Sequence, residues 1–244
     1  MDINCDMGES FGANIVGQDE AIMPYVTSCN IACGFHGGDP VHIERTIRLA
    51  LKNNVRIGAH PSYPDLEGFG RRPMQLPPED LIPILKYQIS ALKGMVESVG
   101  GKLIYVKPHG ALYNLASQNR EEALTIVAAI QLIDPNLALM GFAGSVMKDV
   151  AEQEGVTFIA EAFADRQYEP DSSLMSRSKS GAVLTSAEDV LVQVKNIVQK
   201  QMVVTSDGSE LPVHAQSVCV HGDNPAAPDI VKRINEYFKS SHAG

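Results

Sequence analysis

Histidines recur in this chain where short apolar runs end. Four of them, His36, His60, His109 and His221, stand beside glycine or proline at or just beyond such an end. Carboxylates follow the same runs and complete the predicted catalytic set, namely Asp6, Glu9, Asp39 and Asp223. Imidazole titrates near neutral pH, so this set suits general acid–base catalysis. An ordinary loop hydrogen bond would explain any one histidine alone, but their recurrence predicts one shared site.

These side chains are equally well suited to bind a divalent metal, and a bound cation would lower the pKa of a coordinated water. The chain has no His-x-x-x-His or Cys-x-x-Cys spacing that would settle the matter. Metal-free and metal-dependent chemistry therefore both stay open at this point. If a metal is bound, its ligands are expected among Asp6, Glu9, His36, His60 and His109.

Positive side chains near the same strand ends predict an anionic ligand. Lys107 precedes Pro108-His109 and is the best placed to meet a substrate carboxylate or a developing negative charge. Surface solvation is the ordinary explanation for each of the loop arginines, Arg71, Arg72, Arg166 and Arg177. The predicted substrate-binding set is Lys107, Asn4, Glu161, Asp165, Arg166 and Arg71.

Short apolar runs separated by helical segments must position these residues. Strands are predicted over residues 2–6, 27–33, 55–60, 103–107, 137–142, 157–162 and 217–221. Helices are predicted over 19–26, 41–52, 81–99, 120–133, 145–154, 187–201 and 229–238. Asp39 is the expected N-cap of the second helix, with Pro40 in its first turn. A polar loop spans 165–180, and Ser206-Asp207-Gly208 indicates a hairpin over 203–213.

Strands that alternate with helices require parallel pairing with helical crossovers. Seven such units without a linker or a repeat favour one α/β domain over residues 1–244, a seven-stranded barrel of the TIM type. A doubly wound open sheet is the alternative, but no unit carries the Gly-x-Gly-x-x-Gly fingerprint. In a barrel, the candidate residues would meet at the C-terminal ends of the strands.

The composition disfavours several classes of partner and location. A net charge of −9 argues against binding to nucleic acid or anionic membranes. The chain contains no run of about 18 apolar residues, so no membrane span is expected. Acidic residues before position 10 fall where the apolar region of a signal peptide would lie, so no signal peptide is expected. Four cysteines in 244 residues predict reduced, buried thiols and a cytoplasmic location. His42, His214 and His242 are expected in structural or solvated roles.

Six segments together carry a family resemblance. They are 2–9 (Asp-Ile-Asn-Cys-Asp-Met-Gly-Glu), 30–39 (Asn-Ile-Ala-Cys-Gly-Phe-His-Gly-Gly-Asp), 58–62 (Gly-Ala-His-Pro-Ser), 106–114 (Val-Lys-Pro-His-Gly-Ala-Leu-Tyr-Asn), 161–166 (Glu-Ala-Phe-Ala-Asp-Arg) and 219–223 (Cys-Val-His-Gly-Asp). With these segments in order over residues 1–239, the chain resembles the LamB/YcsF family. The resemblance implies a distorted seven-stranded β/α barrel similar to glycoside hydrolases and polysaccharide deacetylases.

The same resemblance implies ATP-dependent opening of 5-oxo-L-proline (pyroglutamate) to L-glutamate, in a complex with 5-oxoprolinase subunits B and C. The chain has no Gly-x-x-x-x-Gly-Lys-Ser/Thr motif, so ATP and its Mg²⁺ are expected on the partner subunits. The hypothesis is that the partners phosphorylate the lactam oxygen and this barrel completes the hydrolysis, with a histidine activating water. One departure from the family pattern is Ser172, where glycine is expected; it bears on that turn more than on the chemistry.

Two other functions also fit the residues. One is a metal-dependent amide hydrolase or deacetylase that acts alone on a lactam or a sugar. The other is a non-catalytic subunit that binds a small anion for its partners. Activity without ATP or partners would indicate the first, and full activity after removal of the histidines would indicate the second. Self-association into a homo-oligomer stays open in every case.

Overall fold

Seven parallel strands close into a barrel in the computed structural model, which describes residues 1–241. The barrel strands are β1 (Asp2–Met7), β2 (Ser28–Ala32), β3 (Arg56–His60), β4 (Leu103–Val106), β5 (Ala138–Phe142), β6 (Phe158–Phe163) and β9 (Ser217–Val220). Strands β7 (Met202–Val204) and β8 (Glu210–Pro212) form a separate antiparallel hairpin before β9. Strand β9 pairs with both β6 and β1, and this pairing closes the barrel. The predicted barrel, its seven strands and the hairpin are confirmed, and the open sheet is excluded.

Helices connect most successive strands. They are α1 (Asp19–Ile22), α2 (Pro40–Lys52), α3 (Pro78–Ser98), α4 (Gly110–Ala116), α5 (Arg120–Ile133), α6 (Val146–Gln153), α7 (Ala187–Lys195) and α8 (Ala227–Ser241), with a 3-10 turn Met23–Tyr25 after α1 and a π-helical turn Asn196–Lys200 after α7. Every predicted helix is present. The sequence pattern does not predict α4, which is short, begins at a glycine and has no side-chain cap. Within the described chain, no helix is both long and apolar enough to cross a membrane. His242 lies outside the described residues.

The pleat of β1 divides its residues between two surfaces. Ile3, Cys5 and Met7 are buried in the main apolar core. Asn4 and Asp6 lie on the other face, where both accept hydrogen bonds from across the barrel. Because successive side chains of a strand point in opposite directions, this division follows from the alternation Ile-Asn-Cys-Asp-Met. Strand β1 thereby delivers two polar groups to the barrel interior.

Asp39 caps α2, as predicted from the sequence. Its carboxylate accepts hydrogen bonds from the main-chain N–H groups of Val41 at 2.8 Å and His42 at 3.0 Å. Its other oxygen lies 2.8 Å from Nδ1 of His42, which gives that histidine a structural role. Asp39 therefore fixes where α2 starts and how the loop that carries His36 enters the helix.

All four cysteines are buried and unpaired. Burial raises the pKa of the Cys33 thiol to about 12 and also raises the pKa values of Cys5, Cys29 and Cys219. A thiol with a raised pKa stays protonated near neutral pH and is a poor nucleophile. The cysteines therefore behave as small apolar residues of the core, as the sequence predicts.

Candidate functional site

A cavity of about 580 Å³ opens at the C-terminal mouth of the barrel. Nine predicted site residues line it, namely Asp6, Glu9, His60, Arg71, Lys107, His109, Arg166, His221 and Asp223. Four more are buried and contact these lining residues, namely Asn4, His36, Glu161 and Asp165. The structure thus brings together the predicted site residues with the exception of Asp39, whose carboxylate caps α2 and also accepts a hydrogen bond from the main-chain N–H of Gly12.

The ammonium group of Lys107 lies inside the barrel, with the residue only 2% exposed. Its Nζ is 3.2 Å from Asp6 Oδ1 and 3.1 Å from Glu161 Oε2. It also donates to Asn4 Oδ1 at 3.2 Å and to Cys219 Sγ at 3.1 Å. Burial opposes the charge of Lys107, but the attraction of Asp6 and its other neighbours outweighs burial and raises the pKa well above its usual value. One side chain at the end of β4 therefore joins β1, β6 and β9.

Three imidazole rings pack together next to two carboxylates. His109 stacks on His36 with ring centroids 3.7 Å apart, and its ring is nearly perpendicular to that of His60. His109 Nδ1 lies 3.0 Å from His60 Nε2, and Glu9 Oε1 lies 3.2 Å from His36 Nε2. Asp6 Oδ2 approaches His60 Nε2 to 3.4 Å. These five residues form one continuous group, called the histidine cluster below.

Burial shifts the pKa values of three residues of the histidine cluster, His36, His109 and Glu9. It lowers the pKa of His109 to about 3, with the nearby His60 acting in the same direction, and it also lowers the pKa of His36. Burial, followed by repulsion from Asp6, raises the pKa of Glu9 well above its usual value. His36 and His109 are therefore neutral imidazoles at neutral pH.

A glycine lets the loop after β3 close over the histidine cluster. Gly70 has a φ of +65°, and a Cβ at this position would lie 2.8 Å from atoms of both His36 and His109. The carbonyl oxygen of the preceding residue, Phe69, accepts a hydrogen bond from His109 Nε2 at 2.9 Å. A larger residue at position 70 would therefore displace the two stacked rings and this hydrogen bond.

His221 has a carboxylate partner of its own. Its Nδ1 lies 2.8 Å from Asp165 Oδ1, and Asp165 also accepts hydrogen bonds from the main-chain N–H of His221 and from Asn224. Burial opposes ionisation of Asp165, but these contacts outweigh it and lower the pKa of the carboxyl group. The ring of Phe163 stacks on His221 at 5.5 Å. Because Asp165 accepts the Nδ1–H, the free nitrogen of His221 is Nε2, an arrangement that suits a general base.

Three arginines lie in the cavity lining, and two of them share a single carboxylate. Arg71 and Arg177 both pair with Asp223, at 2.6 Å and 3.0 Å. Arg166 is 7% exposed, donates to two main-chain carbonyl groups and makes no ion pair within residues 1–241. Burial, followed by repulsion from Arg177, lowers the pKa of Arg166 to about 10. A buried guanidinium without a carboxylate partner is well suited to bind an anion.

The loop over residues 165–180 contributes to the cavity and contains Ser172. This serine has a φ of +71°, in the left-handed region that favours glycine. The turn therefore keeps the conformation expected of glycine although serine occupies the position. Asp171 accepts hydrogen bonds from the N–H and the hydroxyl group of Ser173, at 2.9 and 2.6 Å, and these bonds hold the turn.

Sequence reasoning missed the amides that support the site. Asn30 donates to Asp6 Oδ1 at 2.7 Å and to Asn4 Oδ1 at 2.8 Å, and Asn224 donates to Asp165 at 3.1 Å. Asn30 is also the partner of Asp6 in the pairing of β1 with β2. The available signal for Asn30 is an amide inside an apolar run, but only the strand register reveals which residues it contacts.

A closed parallel barrel with histidines and carboxylates at its C-terminal mouth defines the class of β/α-barrel enzymes. Within that class the chain belongs to the LamB/YcsF family, whose family model matches residues 1–243. The family membership expected from the six sequence segments is therefore confirmed.

Similar proteins of known name cover nearly the whole chain. The 5-oxoprolinase A subunit of Bacillus cereus (strain AH187) is 46% identical over 240 residues, 98% of this chain and 95% of the relative. The protein of the same name from Acinetobacter baylyi is 48% identical over 234 residues, 96% of this chain and 92% of the relative. The crystal structure of the lactam utilization protein from Thermus thermophilus matches with a TM-score of 0.92 and 40% identity, over 99% of this chain and 97% of that one.

Replacement of Lys107 by methionine should destabilise the fold. Methionine has a similar length but leaves Asp6 and Glu161 buried without their cation, and removal of one partner of a buried ion pair costs about 3–5 kcal/mol. Urea denaturation followed by circular dichroism measures the free energy of unfolding. Lys148→Met, which removes an exposed lysine paired with Glu152, is the control and should change that free energy by less than about 0.5 kcal/mol. Equal stability of the two variants would contradict this account of Lys107.

Proposed function

We propose that this chain works as the A subunit of an ATP-dependent 5-oxoprolinase, which opens 5-oxo-L-proline (pyroglutamate) to L-glutamate together with subunits B and C. The names of relatives at 46% and 48% identity support this, as does the name of the Thermus thermophilus structure. The observation that carries the proposal is one cavity lined by His221, which Asp165 orients, and by the guanidinium of Arg166, which makes no ion pair within residues 1–241. The first group can activate water, and the second can bind the carboxylate of 5-oxoproline.

ATP enters this scheme through the partner subunits. A five-membered lactam is a resonance-stabilised amide, so attack by water needs an activated carbonyl group. Phosphorylation of the lactam oxygen would provide that activation, and this chain has no Gly-x-x-x-x-Gly-Lys-Ser/Thr loop to cradle a nucleotide. We therefore assign ATP and Mg²⁺ to subunits B and C, and the hydrolytic step to this barrel. Four buried, unpaired cysteines fit a complex that works in the cytoplasm.

His221 is the general base in this proposal. With its Nδ1–H held by Asp165, its Nε2 accepts a proton from water as the water oxygen adds to the activated carbon. Asp165 orients the ring and stabilises the imidazolium that forms. The imidazolium then returns the proton to the ring nitrogen of the substrate as the C–N bond breaks, which frees the amino group and leaves an acyl phosphate at the former lactam carbon. Hydrolysis of this acyl phosphate by a second water releases inorganic phosphate and completes glutamate.

Arg166, rather than Lys107, takes the anion-binding role. The ammonium of Lys107 is already balanced by two carboxylates, whereas Arg166 makes no ion pair within residues 1–241. The planar guanidinium also matches the geometry of a carboxylate better than an ammonium does. Arg71 and Arg177 share Asp223 and add positive potential to the same cavity.

Reconstitution tests the function. The assay combines this chain with subunits B and C, ATP and 5-oxoproline. The formation of glutamate and ADP is measured in the complete mixture and again with each component omitted in turn. Glutamate is expected only when all components are present, because activation and hydrolysis lie on different chains. Turnover by this chain alone without ATP would indicate a stand-alone amide hydrolase instead. Full turnover in the absence of this chain would exclude any catalytic part for it.

Asp165→Asn should lower kcat in the reconstituted complex by about 10²–10⁴-fold, the usual contribution of a positioned general base. The asparagine amide can donate to Nδ1 of His221 and stabilise the wrong tautomer, while substrate binding and therefore KM should change little. His214→Gln, a change at an exposed histidine, is the control and should keep the wild-type kcat. The same kcat in both variants would remove the His221–Asp165 pair from the mechanism.

Arg166→Gln should raise the KM for 5-oxoproline by about 10- to 100-fold, because a hydrogen bond to a charged group is worth about 1.5–3 kcal/mol. The effect on kcat should be smaller, since the carboxylate is bound before and during the reaction. Arg233→Gln, which removes a surface ion pair with Glu188, is the control. A folded Arg166→Gln variant with an unchanged KM would show that Arg166 does not bind the substrate.

A further inference from the structure

Carbonyl partners fix which nitrogen of His60 and His109 carries a hydrogen. His60 Nδ1 lies 2.7 Å from the main-chain carbonyl oxygen of Lys107, and His109 Nε2 lies 2.9 Å from that of Phe69. A carbonyl oxygen only accepts hydrogen bonds, so both of these ring nitrogens must donate. In neutral rings the lone pairs therefore lie on His60 Nε2 and His109 Nδ1.

These two lone pairs face each other. The nitrogen atoms are 3.0 Å apart, the ring planes differ by 84°, and the residues are 1% and 6% exposed. Two acceptor atoms at this distance without a hydrogen between them repel each other. Buried polar atoms without a hydrogen-bond partner also lower the stability of the folded state. A cation next to both nitrogens removes the conflict, and it can be a shared proton or a metal ion.

The surrounding charge favours a divalent cation. Asp6, Glu9 and Glu161 are buried carboxylates, and the one ammonium among them is that of Lys107, which contacts Asp6 and Glu161. The carboxylates therefore outnumber the ammonium, and a divalent ion next to Asp6 and Glu9 would add positive charge where buried acidic oxygen atoms gather.

We propose that Asp6, Glu9, His60 and His109 form a binding site for a divalent first-row transition metal. Asp6 Oδ2 lies 3.4 Å from His60 Nε2, and Glu9 Oε1 lies 3.8 Å from His109 Nδ1. Two ligand atoms about 2.1 Å from a metal and at right angles are about 3.0 Å apart, which matches the separation of the two nitrogens. The carbonyl contacts of the outer ring nitrogens are typical of metal-binding imidazoles. All four side chains line the cavity, so further coordination positions would face water or substrate.

His36 supports this site without being a ligand. Its ring stacks on that of His109 with the planes 6° apart. A metal lies close to the plane of an imidazole that binds it, so two parallel stacked rings cannot share one ion. His36 Nε2 instead contacts Glu9 Oε1 at 3.2 Å and holds that carboxylate in position.

The ligand set indicates which ions fit and what they would do. Two imidazole nitrogens with two carboxylates suit Zn²⁺, Mn²⁺ or Fe²⁺. An ion in this cavity would polarise a carbonyl oxygen or lower the pKa of a bound water. The site rests on contacts within this chain and not on the proposed 5-oxoprolinase activity, so its test needs no ATP, substrate or partner subunit.

Calorimetric titration of the full-length, chelator-treated chain with Zn²⁺ and with Mn²⁺ tests the site, together with elemental analysis after dialysis. One ion per chain is expected. His60→Gln and His109→Gln should each weaken binding by more than about 100-fold, since loss of even an outer hydrogen-bond partner costs about 10- to 100-fold. His214→Gln is the control and should bind the ion like the wild type, because His214 is exposed and does not line the cavity.

A folded wild-type chain that binds neither ion with a Kd below about 1 mM would overturn the proposal. Unchanged affinity in both histidine variants would overturn it as well. Should these variants unfold, ¹⁵N NMR of the histidine rings in the wild-type chain decides the matter. Zn²⁺ must then shift the resonances of His60 Nε2 and His109 Nδ1 and leave those of His214 in place; unshifted His60 and His109 resonances would contradict the site.

Discussion

The buried ammonium of Lys107 is the contact on which the barrel interior depends. From the end of β4 it reaches Asp6 on β1, Glu161 on β6 and Cys219 on β9. A buried ion is tolerated only when partners replace the water that it has lost. The polar interior is therefore stable only in the closed barrel, where strands far apart in the chain bring these partners together.

The cavity above this ion network is uneven in charge. The histidine cluster contributes the carboxylates of Asp6 and Glu9, whereas the cavity lining also contains three arginines, two of which share Asp223. A small molecule with an anionic group and a hydrogen-bond donor, such as the N–H of a lactam, has complementary groups for both parts. The distribution of charge thus agrees with the proposed lactam substrate and with the proposed anion-binding role of Arg166.

Local patterns predicted the architecture because they depend on neighbouring residues. The apolar runs before His60, Lys107 and His221 mark strand ends, and Asp39-Pro40 marks a helix start; each of these elements is found where it was expected. Helix α4 escaped prediction because its seven residues have no cap, and its first turn is held by the main-chain bond from Ala111 N–H to the carbonyl oxygen of Gly70, far away in the chain. No local pattern reports such a contact.

The sequence by itself determined the family, the order of strands and helices, and the residue types that gather at the barrel mouth. Only the tertiary structure decided their partners. Lys107 pairs with carboxylates whereas Arg166 donates to main-chain carbonyl groups, Asp165 holds His221, and Asp39 remains at its helix cap. The reason is physical. Strand register and barrel closure set the distances between distant side chains, and burial then determines which of their charges and lone pairs require a partner.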